Sequence, residues 1–84
     1  MNFQGAVLTE QGVTFGVLIV KAHVLHDPQL RAEMRHFGVR AWGRMPIVLM
    51  AQNGRGTPTY QGRRDIVQFL ARIDPRRIPW KRVG

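Results

Sequence analysis

The chain has no cysteine and no serine among its 84 residues. The first absence removes disulfide staples, thiol nucleophiles and zinc sites built on cysteine. The second removes any Ser-His-Asp arrangement. Carboxylates are scarce: five Asp and Glu stand against thirteen Lys and Arg, a formal net charge of +8. General acid–base catalysis needs a positioned pair of titratable groups. Each carboxylate here has a structural reading instead: Asp27 and Asp65 near helix starts, Asp74 at a helix end, Glu10 in a turn and Glu33 on a helix exterior. His23, His26 and His36 with Asp27 or Glu33 are the only metal-ligand candidates. His23 and His26 straddle a strand end rather than sharing a helical face, so ordinary surface or packing histidines are the better reading. Apolar runs such as residues 17–20 fall far short of the ~20 residues that a membrane-crossing helix needs, and no basic flank leads into one at the N-terminus. These absences argue against an enzyme, a cofactor, a metal and a membrane location, and make the cytoplasm the default expectation.

What is present is a small amount of apolar sequence and a lopsided charge. Eighty-four residues make one domain, residues 1–84, with residues 75–84 as a basic C-terminal tail. A core this small leaves self-association as a way to bury more surface. Residues 1–34 carry Lys21 and Arg31 against Glu10, Asp27 and Glu33, a net of −1; residues 35–84 carry eleven basic residues against Asp65 and Asp74, a net of +9. A basic half of this kind suits an anionic partner. Eleven of the thirteen cations are Arg, which genome composition also explains.

The apolar pattern predicts strands and helices in a definite order. Residues 2–8 are a short strand, residues 9–12 a turn, and residues 13–24 a β-branched strand apolar on both faces, hence central. Asp27-Pro28 opens a helix, because Asp27 can cap free N–H groups and Pro28 suits the first helical position. Leu30, Met34 and Phe37 form its buried stripe, Arg31, Arg35 and Glu33 its outer side, and Gly38 its left-handed cap. Residues 47–51 are a second interior strand. Asn53-Gly54 signals a hairpin, Pro58 confines the next strand to an edge, and a helix follows with Ile66, Phe69, Leu70 and Ile73 inward, stopped by Asp74-Pro75. The expected fold is α+β: a single ββαββα domain with a four-stranded mixed sheet and two helices.

Phe37-Gly38-Val39-Arg40, a turn, Pro46, an apolar strand, Asn53-Gly54, an edge strand, Gly62 and an amphipathic helix together resemble the C-terminal half of the thioredoxin family. The match covers roughly residues 13–73. It implies a thioredoxin-like fold in part, with a cis peptide before Pro46 and another strand between the two parallel ones. The Cys-x-x-Cys half of that family is missing, so no redox chemistry carries over. An independent ββαββα domain accommodates the same order.

Two binding surfaces follow. One is an anion site at Gly62-Arg63-Arg64, where helix N–H groups and two guanidiniums converge, extended by Arg55, Arg76, Arg77, Lys81 and Arg82. Tyr60 and Trp80 either stack on bases or pack at the core's edge. The alternative for Arg63 or Arg64 is pairing with Asp65. The other surface is Ile78-Pro79-Trp80, which either folds back on its own domain or docks on another chain. The leading expectation is a non-catalytic interaction module that self-associates as a homodimer; the alternative is a nucleic-acid or polyanion binder using the seven basic residues above.

Overall fold

Strands whose side chains are apolar on both faces belong inside a sheet, and the two such segments here pair directly. In a computed structural model that describes residues 3–84, β2 (Val13–Ile19) and β3 (Ile47–Gln52) run parallel, with Val17 opposite Val48 and Leu18 opposite Leu49. Around this pair lie β1 (Phe3–Glu10), antiparallel to β2, and β4 (Pro58–Gln61), antiparallel to β3. A fifth strand, β5 (Lys81–Val83), pairs antiparallel with Phe3 to Gly5, giving the order β4-β3-β2-β1-β5. The sheet therefore has five strands rather than the expected four: the alternating tail is long enough to cover the start of β1.

Each face of the sheet is covered by one helix. α1 (Pro28–Trp42) packs over Leu18, Ile47, Leu49 and Ala51 through Leu30, Met34 and Phe37. α2 (Arg64–Leu70) and Ile78 cover Phe15, Val17, Val48 and Met50 on the other face. Asp27 caps α1 as its composition suggests, accepting from the N–H groups of Gln29 at 2.9 Å and Leu30 at 3.3 Å.

Glycines set the distance between α1 and the sheet. Gly38 does not end the helix, as expected, but lies inside it, buried; a Cβ there would sit 3.1–3.2 Å from Ile47 and Leu18 side-chain atoms. The helix runs on to Trp42 and is closed by Gly43 at φ 91°. The extra turn carries the Trp42 indole across β2 and β1, where it lies on Gly16 and Gly5: a Cβ at either would come within 2.4–2.8 Å of the ring.

Several local expectations are corrected. The two-residue turn with positive φ at both positions is Gln11 (51°) and Gly12 (78°), between β1 and β2. Asn53-Gly54 adopts no positive φ; Asn53 instead opens a turn in which the Gly56 N–H donates to its carbonyl at 3.0 Å, its Oδ1 accepts from Arg55 and Thr57, and Gly56 takes φ 80°. No cis peptide occurs among the described residues, so the bond before Pro46 is trans. That isomer is the intrinsically preferred one, and it lets the Pro46 carbonyl accept from the Gly16 N–H at 2.9 Å where parallel pairing begins. β1 flanks β2 on its far side and does not enter between the two parallel strands. Phe37 to Arg40 are helical. From β3 onward, the turn, β4, Gly62 and α2 follow one another in the expected order.

The platform under Trp42 makes a quantitative demand. Gly16→Ala forces the indole off the sheet and should destabilise the fold by about 1–3 kcal/mol, the usual range for overpacking. Denaturant unfolding followed by Trp fluorescence measures it. Trp42→Leu in the same chain should recover part of the loss, since the clash is with that ring.

Candidate functional site

A five-stranded sheet is wider than one helix. Neighbouring strands are ~4.8 Å apart, so the sheet spans roughly 19 Å between its edge strands, whereas a helix with side chains is ~10–12 Å across. α1 lies over β2 and β3, and the β1–β5 side of that face is left open as a groove of about 990 Å³. One wall is a single stripe of α1 at helical spacing, Glu33, His36, Phe37 and Arg40; the other is β1 and β5 with Pro79. Trp42 closes the base.

Strand register decides which β residues look into the groove. Gly5 and Gly16 carry Trp42 on the α1 side, so Val7, opposite Gly16, shares that face. Val7 is a large hydrophobic residue left 42% exposed. Lys81 and Val83, opposite Gly5 and Phe3, also face α1. Arg82, opposite Gln4, alternates to the other face and borders the groove from the edge strand. Arg40 and Lys81, with Arg82 at the border, thus surround an apolar groove lined by one acidic side chain, Glu33. The arrangement suits binding of an acidic group beside an apolar side chain.

Of the expected anion residues, Lys81 and Arg82 border one groove, and Arg55 lies apart from them. Arg55 sits in the β3–β4 turn, at the edge of the sheet opposite to Lys81 and Arg82 on β5. Arg63 is exposed but paired: its Nε and Nη2 donate to both carboxylate oxygens of Asp65, at 2.8 and 2.9 Å. Arg76 grips Asp74 in the same way, with Nη2 to Oδ2 at 2.7 Å. Arg64 and Arg77 are exposed. Tyr60 and Trp80 both pack against the core cluster beneath α2. Burial pushes the Tyr60 phenol above its ordinary pKa.

The segment Ile78-Pro79-Trp80 takes the first of its two courses and folds back. Ile78 is 4% exposed, and the Trp80 Nε1–H donates to the Pro75 carbonyl at 2.9 Å. Pro79 is exposed and borders the groove.

Two arginines expected on the outer side of α1 hold structure together. The Arg31 Nη1–H donates to the Leu25 carbonyl at 2.8 Å. Arg35 reaches from α1 to the β3–β4 pair, donating from Nε to the Ile47 carbonyl at 3.3 Å and from Nη2 to the Gln61 carbonyl at 3.1 Å and to Gln61 Oε1. Burial and, after it, repulsion from Arg31 hold the Arg35 pKa below its ordinary value. His23 and His26 lie exposed on a short 3-10 helix, Ala22–His26, and His36 lies on the groove wall. Among the described residues no three His, Asp or Glu converge as metal ligands, and no helix is long and apolar enough to cross a membrane. Sequence reasoning missed the groove, and Arg40 with it. The signal available was the spacing of Glu33, Phe37 and Arg40 on one helical stripe.

Compared with known proteins, the chain matches no family model, no curated protein and no solved structure.

The Asp74–Arg76 contact predicts an acid dependence. The Arg76 side chain, and then its N–H, hold the Asp74 carboxyl down at about 2. A lowered folded-state pKa means stability that is complete above the unfolded value of about 3.9 and is lost as pH falls toward the folded one. Between about pH 4 and pH 2, the melting temperature of Asp74→Asn should therefore fall less steeply than that of the wild type. Thermal unfolding across that range checks it.

Proposed function

We propose that the protein is a small non-catalytic interaction module whose partner is held by its acidic groups in the groove between α1 and the β1–β5 edge. The observation that carries this reading is the placement of Arg40 and Lys81, with Arg82 at the border, beside an apolar floor formed with Val7, Phe37 and Trp42. Cations at a partly enclosed apolar surface attract acidic ligands and select against basic ones. The rest of the basic surplus is partly engaged elsewhere: Arg31 and Arg35 secure backbone carbonyls, and Arg63 and Arg76 are held by carboxylates.

Self-association through Ile78, Pro79 and Trp80 has less support. Ile78 fills this domain's own core, and the Trp80 indole N–H is satisfied within the tail. Binding of a nucleic-acid strand is the second reading, favoured by the net charge of +8. The placement of Arg55 and of Lys81 at opposite sheet edges counts against one continuous phosphate track.

Charge reversal separates the readings. A fluorescent glutamate-rich peptide should bind at ~50 mM salt and weaken as salt rises. Arg40→Glu with Lys81→Glu should reduce its affinity by about tenfold or more, and Arg55→Glu with Arg64→Glu by less than about threefold. Equal losses in both double variants would sink the groove assignment. A labelled oligothymidylate whose binding falls steeply with salt, and depends on Arg55 and Arg64, would establish the second reading instead.

A further inference from the structure

The groove has an open strand edge along one side. β1 runs for eight residues, but β5 covers only its beginning, pairing Phe3 with Val83, Gln4 with Arg82 and Gly5 with Lys81. Beyond Gly5 the tail leaves the sheet. Pro79 has no N–H to donate, and Trp80 turns back, its backbone N–H donating to the Ile78 carbonyl at 2.8 Å.

Register shows which backbone groups are left over. The N–H groups of Gly16 and Val20 donate to the carbonyls of Pro46 and Met50 on the β3 side. The even residues of β2 therefore bond β3, and its odd residues bond β1. Their partners on β1 are the even residues, Ala6, Leu8 and Glu10 among them. Val7 and Thr9 consequently direct their N–H and C=O groups outward, and no described segment pairs with them. The Val7 side chain lies on the groove face of this same stretch.

We propose that an acidic protein segment binds in extended form by adding as a strand to the open edge of β1 at Val7 and Thr9, with its acidic side chains turned into the groove toward Arg40 and Lys81. This rests on the groove reading above and names its partner. Main-chain bonds to an open edge give affinity, and alternate side chains give specificity. The occupant is acidic because the basic side chains of Arg40 and Lys81, with Arg82 at the border, outnumber the one acidic side chain lining the groove, Glu33. A second copy of this chain is disfavoured by the +8 that each carries.

The test uses the full chain, labelled with 15N, and an octapeptide alternating Glu with Val. Binding should slow hydrogen exchange of the Val7 and Thr9 amides by about tenfold or more at saturation. The same peptide N-methylated at alternate residues should lose about tenfold in affinity. Val7→Pro should weaken binding similarly while its circular dichroism stays native; should that variant not fold, the exchange measurement and the N-methyl peptide still decide. Binding that needs Arg40 and Lys81 but leaves the two amides unprotected overturns strand addition and spares the groove reading. Absence of peptide binding overturns both. Competition by oligothymidylate at equal charge, or a concentration-dependent dimer that protects the same amides, overturns the choice of occupant.

Discussion

The close approach of α1 to the sheet is the constraint on which the rest of the structure depends. Gly38 lets the helix backbone settle near Leu18 and Ile47, and Gly16 and Gly5 let the Trp42 ring lie on β2 and β1. A side chain at any of these positions would hold the helix or the indole away from the sheet, and interiors packed near crystal density do not absorb such a gap without loss of contacts. The same approach explains the Arg35 bridge. From a helix at this distance the Arg35 guanidinium reaches the Ile47 and Gln61 carbonyls. It also explains the groove. A helix drawn down over β2 and β3 leaves β1 and β5 uncovered on that face.

Charge in this protein divides by environment rather than by position in the chain. The expectation of one basic face came from a surplus in residues 35–84. Folding assigns those residues different work. Arg35 joins α1 to the β3–β4 pair, Arg63 and Arg76 close on carboxylates two residues away, and Arg40 with Lys81 and Arg82 borders the groove. Exposed ion pairs such as the two Arg–Asp contacts contribute little stability. Their larger effect is on the electrostatic surface, where they offset two of the cations that an anion could otherwise follow.

Much of the fold was legible because it rests on local chemistry. The doubly apolar segments became the interior parallel pair, Asp27-Pro28 opened α1, Pro58 stood on an edge strand, and Ile66 and Leu70 were buried against the sheet. What was not legible depends on long-range contact. Gly38 reads as a helix stop, since a left-handed cap favours glycine; its actual reason is the close approach of the Ile47 and Leu18 side chains. Asn53-Gly54 reads as the tight turn, yet the loop is built on the Asn53 side chain and Gly56, while Gln11-Gly12 makes the two-residue turn. The groove was invisible for the same reason. Its walls come from α1, β1 and β5, which are separated in the chain and meet only because the tail returns to the start of the sheet.

The tail's return accounts for both the closed core and the open edge. Ile78 is anchored in the core beneath the sheet, and the Trp80 indole N–H is tied to Pro75, so the chain can reach β1 only near its beginning. Exposed edges invite pairing with other chains, and natural sheets often guard them with lysine or proline. Here the guard is partial: Pro58 stands on β4, and Pro79 and Lys81 stand where β5 begins, but among the described residues no strand pairs with the outer side of Val7 and Thr9. A net charge of +8 supplies a different protection. Two copies of the chain repel one another at long range, whereas an acidic segment is drawn in. An unguarded edge beside a cationic groove is thus selective: the field that discourages self-pairing is the one that favours an acidic partner.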